Sequence, residues 1–203
     1  MKLYYAPRTC AVAVWIALDW LGADFEVEKV VLGSDEYRKI NPAGAVPAFD
    51  SGDGQIKTQA GAILTYLAEK YPDKDLGPDD SLEDRFLFNE WVSFICSDYH
   101  PTFGALFGPG NYTASSDEKD IENVKKAAYK EIDKAATLLD KKLEGKTHVY
   151  KDKKTVLDPY VYILSRWLKS TPKSWEDYPN LKIFMETMEN DENIQRIISE
   201  SLK

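Results

Sequence analysis

The chain opens on a short alternation, Lys2-Leu3-Tyr4-Tyr5, that predicts a strand, and Pro7 ends it. From Cys10 the pattern changes period. Ala11, Val14, Trp15, Leu18 and Leu21 fall at helical spacing, and Gly22 supplies a C-terminal stop. Phe25 to Leu32, with Val27, Val30 and Val31, predicts a second strand. Asn41-Pro42-Ala43-Gly44 predicts a turn. Val46-Pro47-Ala48-Phe49 and Gln55-Ile56-Lys57 flank Ser51-Gly52-Asp53-Gly54, which predicts a hairpin. A helix follows from about Gln59 to Tyr71. The order is βαβ, then a hairpin, then a helix, which defines a small α/β domain.

The pattern shifts at Tyr71-Pro72-Asp73-Lys74-Asp75-Leu76-Gly77-Pro78-Asp79-Asp80, a stretch with linker composition. Everything after it reads as helix. Ser81 to about Phe107 is apolar and aromatic at helical spacing, with a kink expected at Pro101 and Gly104. Ile121, Val124, Ala128, Ile132, Ala135, Leu138 and Leu139 mark an amphipathic helix. Thr155-Val156-Leu157-Asp158 is a capping-box pattern opening a helix that ends near Trp167. Leu181 to Met188 and Ile194 to Leu202 predict two more. The division expected is an α/β domain over residues 1–77 and an all-helical domain over residues 82–203.

Composition narrows the function classes. Of 203 residues, 43% are hydrophobic and 30% charged, as in an ordinary globular protein. A net charge of −8 repels nucleic-acid phosphate and anionic lipid, so neither nucleic acid nor membrane is an expected partner. No apolar run approaches the ~20 residues of a membrane-spanning helix. Two cysteines and no export signal at the start of this sequence favour a reducing cytoplasm.

Cys10 is the richest candidate for chemistry. It follows a proline turn and opens a helix, where free N–H groups and the positive helix end lower a thiol's pKa. A buried, inert cysteine fits the same position equally well. A thioredoxin-type dithiol needs a second cysteine three residues on, and position 13 is Ala, so any mixed disulfide at Cys10 calls for an external thiol. Cys96, inside an apolar helix, reads as core, and His148 as surface. The Gln59-Ala60 helix start offers N–H groups to a carboxylate. His100 reads as a polar residue at a kink, and neither histidine has metal-ligand spacing; no metal is expected. Tyr99, Phe103, Phe107 and Trp167 read as core.

Taken together, these segments resemble the cytosolic glutathione transferases over essentially the whole chain, and most closely the bacterial beta class. The start, Met1-Lys2-Leu3-Tyr4-Tyr5-Ala6-Pro7-Arg8-Thr9-Cys10, matches that class with Tyr5 and the cysteine in register. Asn41-Pro42-Ala43-Gly44-Ala45-Val46-Pro47 matches its Asn-Pro-x-Gly-x-Val-Pro signature, and Gln59-Ala60-Gly61-Ala62-Ile63 its γ-glutamyl segment. Thr155-x-x-Asp158 matches its core-helix N-cap, and Ser165-Arg166-Trp167 a further beta-class stretch. The chain departs from the class at Ala11, Gln59, Ser93, Lys154 and Pro159, and in a short loop over residues 33–38.

The resemblance implies a thioredoxin-like N-terminal domain and an all-α C-terminal domain. It implies glutathione as co-substrate, no other cofactor, a homodimer, and small hydrophobic electrophiles as second substrates. It carries Cys10 and Tyr5 over as catalytic residues. Cys10, Val46, a cis Pro47, Gln59 and Ala60 would hold glutathione. Ser93, Ser97 and His100 would add contacts, partly across the dimer. Phe103, Phe107 and Trp167 would line the second-substrate pocket. Three functions then stand open: conjugation of glutathione to an electrophile, thiol–disulfide exchange through a mixed disulfide at Cys10, and non-catalytic binding or regulation on the same fold.

Overall fold

A computed structural model describes all residues 1–203. Its sheet has four strands in the order β2-β1-β3-β4: β1 Lys2–Tyr5, β2 Glu26–Lys29, β3 Ala48–Asp50 and β4 Ile56–Thr58. β1 pairs parallel with β2 and antiparallel with β3, with Leu3 opposite both Val27 and Phe49. β3 and β4 form the hairpin, Phe49 opposite Lys57. The helices of this half are α1 (Ala11–Trp20), α2 (Asp35–Arg38) and α3 (Ala60–Lys70). The connection from β1 through α1 to β2 is the crossover a parallel pair requires.

The helical half contains α4 (Leu82–Ser93), α5 (Gly104–Phe107), α6 (Glu118–Lys142), α7 (Leu157–Arg166), α8 (Pro179–Glu189) and α9 (Glu192–Ser201). α1 is apolar around its whole circumference, and every residue from Ala11 to Leu18 is buried. Such a helix needs cover on all sides. It packs on β1 and α3 within its own half and on α7 and α9 from the other. α7 is buried from Leu157 to Ser165, so one core runs through both halves. Asp158, fully buried, seals the start of α7: its carboxylate accepts the Val149 and Thr155 N–H groups, both at 2.7 Å. The reciprocal bond of a capping box does not form: the Asp158 N–H goes to the Thr155 backbone carbonyl at 3.2 Å, and Thr155 Oγ1 accepts the Leu157 N–H at 3.4 Å. No helix is long and apolar enough to cross a membrane.

Four expectations change. The second strand is shorter than Phe25 to Leu32, because β1 offers only four pairing positions; Val31 and Leu32 are exposed. Residues 33–38 are not a plain loop: Asp35–Arg38 form one helical turn, capped by Ser34 Oγ accepting the Tyr37 N–H at 3.2 Å. The stretch from Ser81 to Phe107 is not one kinked helix. α4 ends at Ser93, π-helical turns run over Phe94–Tyr99, a 3₁₀ turn covers His100–Phe103, and α5 follows. Pro101 supplies no N–H, so the backbone passes through wider and then tighter turns around it. His148 is half-buried rather than on the surface. Its Nδ1 lies 3.3 Å from Asp158 Oδ2, at charge-pair distance but outside hydrogen-bond geometry.

Candidate active site

A small cavity of about 170 Å³ forms where the α1 start, the loop before β3 and the α3 start face the end of α4 and α7. Its walls include Cys10, Asn41, Val46, Pro47, Thr58, Gln59, Ala60, Cys96, His100 and Tyr160. The Val46–Pro47 peptide bond is cis. The preceding peptide is held rigidly. The Ala45 carbonyl accepts the Asn41 Nδ2–H at 2.7 Å and the Tyr37 hydroxyl at 2.8 Å. In a trans peptide the N–H points opposite to the carbonyl, so the Val46 N–H faces away from both partners. It makes no hydrogen bond within the chain and is free to pair with an extended ligand backbone.

Gln59 precedes α3 with φ +73°, a conformation that costs a non-glycine residue about 1–3 kcal/mol. The following N–H groups, beginning at Ala60, have no intrahelical acceptor and carry the positive helix end, which suits a carboxylate. Gly61 allows close packing here, since a Cβ would sit 2.5 Å from Cys96 Sγ.

Cys10 lies at the cap of α1, 8% exposed, with Sγ 3.6 Å from the Val46 carbonyl as its hydrogen-bond acceptor. The expected acidification is corrected here. Burial pushes this thiol up to about 12; the N–H groups of Cys10 and Ala11 pull downward, as helix-end N–H groups should, but are outweighed. Cys10 is therefore a protonated S–H donor at neutral pH.

Across the cavity, Tyr160 Oη is 2.8 Å from His100 Nδ1 and 4.0 Å from Cys96 Sγ. Burial lowers the His100 pKa and drives the Tyr160 pKa far up, so both are uncharged at pH 7. A tyrosine hydroxyl donating to Nδ1 leaves Nε2 as the N–H donor of the ring. The Cys96 thiol is raised by burial, with the Tyr160 hydroxyl and the Gly61 N–H acting the other way.

A second cavity, about 500 Å³, lies against Arg8, Val12, Phe107, Ile163, Arg166, Trp167, Lys169 and Ile198. That volume suits a small-molecule ligand. Its lining neighbours that of the first cavity at two points. Arg8 and Val12 flank Cys10 in the chain, and the Trp167 ring stands 5.2 Å from the His100 ring.

The residues singled out from the sequence divide as follows. Cys10, Val46, Pro47, Gln59, Ala60 and His100 line the smaller cavity, and Phe107 and Trp167 the larger one. Phe103 does not line it. It is buried behind the wall, stacked on Phe107 at 6.3 Å and edge-on to Trp167 at 5.3 Å. Tyr5 lines neither cavity; it is buried edge-on against Trp15 at 5.0 Å. Ser93 and Ser97 are exposed and lie outside both. Sequence reasoning missed Asn41, Cys96 and Tyr160. Cys96 is corrected from core to cavity wall. A polar residue on an apolar helix is the one sequence signal that marked it, and Tyr160 carries none.

Comparison with known proteins agrees with this architecture. The family model for the glutathione S-transferase N-terminal domain matches residues 3–75, and that for the glutathione S-transferase C-terminal domain matches residues 107–200. Glutathione S-transferase GST-4.5 of Xanthomonas campestris pv. campestris is 32% identical over 198 residues, covering 96% of each chain. Among solved structures, a glutathione S-transferase from Xylella fastidiosa superposes with a TM-score of 0.89 at 31% identity, over 98% of both chains. A sphingomonad glutathione S-transferase complexed with glutathione gives 0.87 at 30% identity, over 99% of this chain and 98% of that one. A beta-class enzyme of Sphingomonas chungbukensis gives 0.87 at 29%, over 99% and 98%. The chain belongs to the glutathione S-transferase family. It is a glutathione transferase, an enzyme with glutathione as co-substrate.

Proposed function

We propose that the protein conjugates the thiol of reduced glutathione to small hydrophobic electrophiles, with glutathione in the smaller cavity and the electrophile in the larger one. Val46 pairs with the glutathione backbone. The α3 start, with Gln59 and Ala60, holds the γ-glutamyl carboxylate. The His100 N–H donates to the glutathione sulfur, and the Cys10 S–H turns to it from the Val46 carbonyl, so that both donors favour its thiolate. The observation that carries this reading is the buried Cys10 thiol, held at the Val46 carbonyl, beside an unpaired Val46 N–H; burial raises the thiol pKa and so favours the S–H form. An S–H in that state is a good donor and a poor nucleophile. The glutathione-bound sphingomonad relative supports the same occupant.

Cys10→Ala tests the assignment. Loss of one donor costs about 10²–10³-fold at most in kcat, and conjugation stays measurable above the uncatalysed rate. Complete loss of conjugation, with glutathione binding retained by calorimetry, would contradict it.

One observation favours thiol–disulfide exchange as a second reading. Cys96 brings a second thiol to the same cavity. In that chemistry Cys10→Ala abolishes turnover of glutathione mixed disulfides altogether.

The proposal extends to three further points. The chain divides into a glutathione-binding domain, 1–77, and a helical domain, 82–203. It pairs as a homodimer through a face of α4 that leaves Leu82 70% and Phe86 67% exposed, one turn apart. Ser93, at the end of this helix, and Ser97, in the turns that follow it, are exposed residues available to a partner's site. It works in the cytoplasm on electrophiles to be detoxified, where reduced glutathione and two free cysteines coexist.

A further inference from the structure

The larger cavity carries charges that conjugation to a neutral electrophile does not require. Arg8, Arg166 and Lys169 stand around an apolar floor that includes Val12, Ile163 and Trp167, and no Asp or Glu lines it. This runs against a chain with 34 acidic and 26 basic side chains. Arg166 is already balanced: its Nη1 donates to Glu189 Oε1 at 2.8 Å and to Tyr162 Oη at 2.7 Å. Arg8 and Lys169 are not. Neither forms an ion pair, and neither side chain makes a hydrogen bond. Lys169 Nζ has only the Trp175 ring, 5.7 Å to its centroid.

The backbone that carries one of these charges is held in place. Arg8 has φ +62°, a left-handed conformation unfavourable for a residue with a side chain. The Trp167 indole N–H donates to the Arg8 carbonyl at 2.9 Å, so a wall residue of the cavity itself pins the loop. Cys10 is two residues further on, so the backbone that carries Arg8 leads directly into the wall of the smaller cavity.

We propose that the larger cavity selects electrophiles bearing a negative charge, a carboxylate or sulfonate on an apolar body, with Arg8 and Lys169 as the specificity-determining cations. The inference rests on the reading of this cavity as the electrophile's site. A guanidinium fork matches a carboxylate bidentately, and an ammonium adds an undirected charge. The apolar floor takes the ring that carries the leaving group.

The test uses a chloronitrobenzoate and its neutral methyl ester, both activated aryl chlorides, with the full chain saturated with glutathione. Calorimetry reads binding of each. The acid is expected to bind about fivefold more tightly than the ester, the upper range for an exposed charge pair. Raising the salt concentration weakens the acid alone. Arg8→Gln with Lys169→Gln brings the ratio near one; Lys169→Gln alone lowers it in part. Lys119→Gln, the same charge change as Lys169→Gln but at an exposed site outside both cavities, leaves it unchanged. Equal or tighter binding of the ester to the wild type overturns the proposal, as does a ratio the double variant does not move. Turnover is followed in parallel. Selective binding of the acid with conjugation of neither compound upholds the charge selection and overturns the transferase assignment of the two cavities.

Discussion

Cys10 and His100 respond to burial in opposite pKa directions with one chemical result. The thiol rises, the imidazole falls, and each is uncharged at neutral pH. A site of uncharged donors suits an anion that forms on the substrate, because a charge on the protein would have to be desolvated first. Tyr160 acts one step back. Its hydroxyl, 2.8 Å from His100 Nδ1, sets which ring nitrogen carries the proton. Tyr160→Phe keeps the ring packing and removes that anchor. The expected result is a fall of about tenfold in kcat, the worth of one hydrogen bond, with KM for glutathione nearly unchanged. A shifted pH–rate profile should accompany it. An unchanged kcat and profile would show that packing alone holds His100.

At the scale of the element, α7 depends on a buried carboxylate. Asp158 satisfies two N–H groups of the segment leading into α7, and His148 lies against it. Asp158 raises the His148 pKa through close contact, more than the half-burial of the ring lowers it. A raised folded-state pKa means that the folded chain holds this proton more tightly than the unfolded chain. The stabilisation is full below the unfolded value of about 6.5 and is lost as pH rises through the folded value. Urea unfolding of wild type and His148→Gln should therefore show a stability gap at pH 6 that closes by pH 8.5; a gap independent of pH would contradict the pairing. α4 depends on the opposite device. The π-helical turns that follow it and the 3₁₀ turn at Pro101 end the regular ladder and place Cys96 and His100 in one cavity wall. The sequence shows that Pro101 interrupts the helix. It does not show which side chains the wider turns present, because that depends on residues packed from α3 and α7.

At the scale of the molecule, local signals carried most of the architecture. The change from alternating to helical period at Cys10, the Ser51–Gly54 turn and the Pro/Gly/Asp stretch after Tyr71 mark the βαβ–ββα order and the helical half. What stayed hidden was long-range. Tyr160 reaches the smaller cavity from α7, far beyond α3 in the chain, and no spacing rule records that. Charge was also opaque: a net −8 chain gives no hint that Arg8 and Lys169 converge on one cavity. The proposed dimer is tested by Phe86→Glu, which should shift the chain from twice its mass to its own in light scattering; an unchanged mass places the interface elsewhere. The central claim is that the cavity at Cys10 binds reduced glutathione and favours its thiolate while Cys10 keeps its proton. A pH titration of thiolate ultraviolet absorbance, with and without glutathione, reads this directly. The account predicts one new thiolate per bound glutathione with a pKa below the free-thiol value of about 8.5, present in the wild type and retained in Cys10→Ala. A bound thiol that titrates no lower than free glutathione, or a low-pKa thiolate that disappears with Cys10, would contradict it.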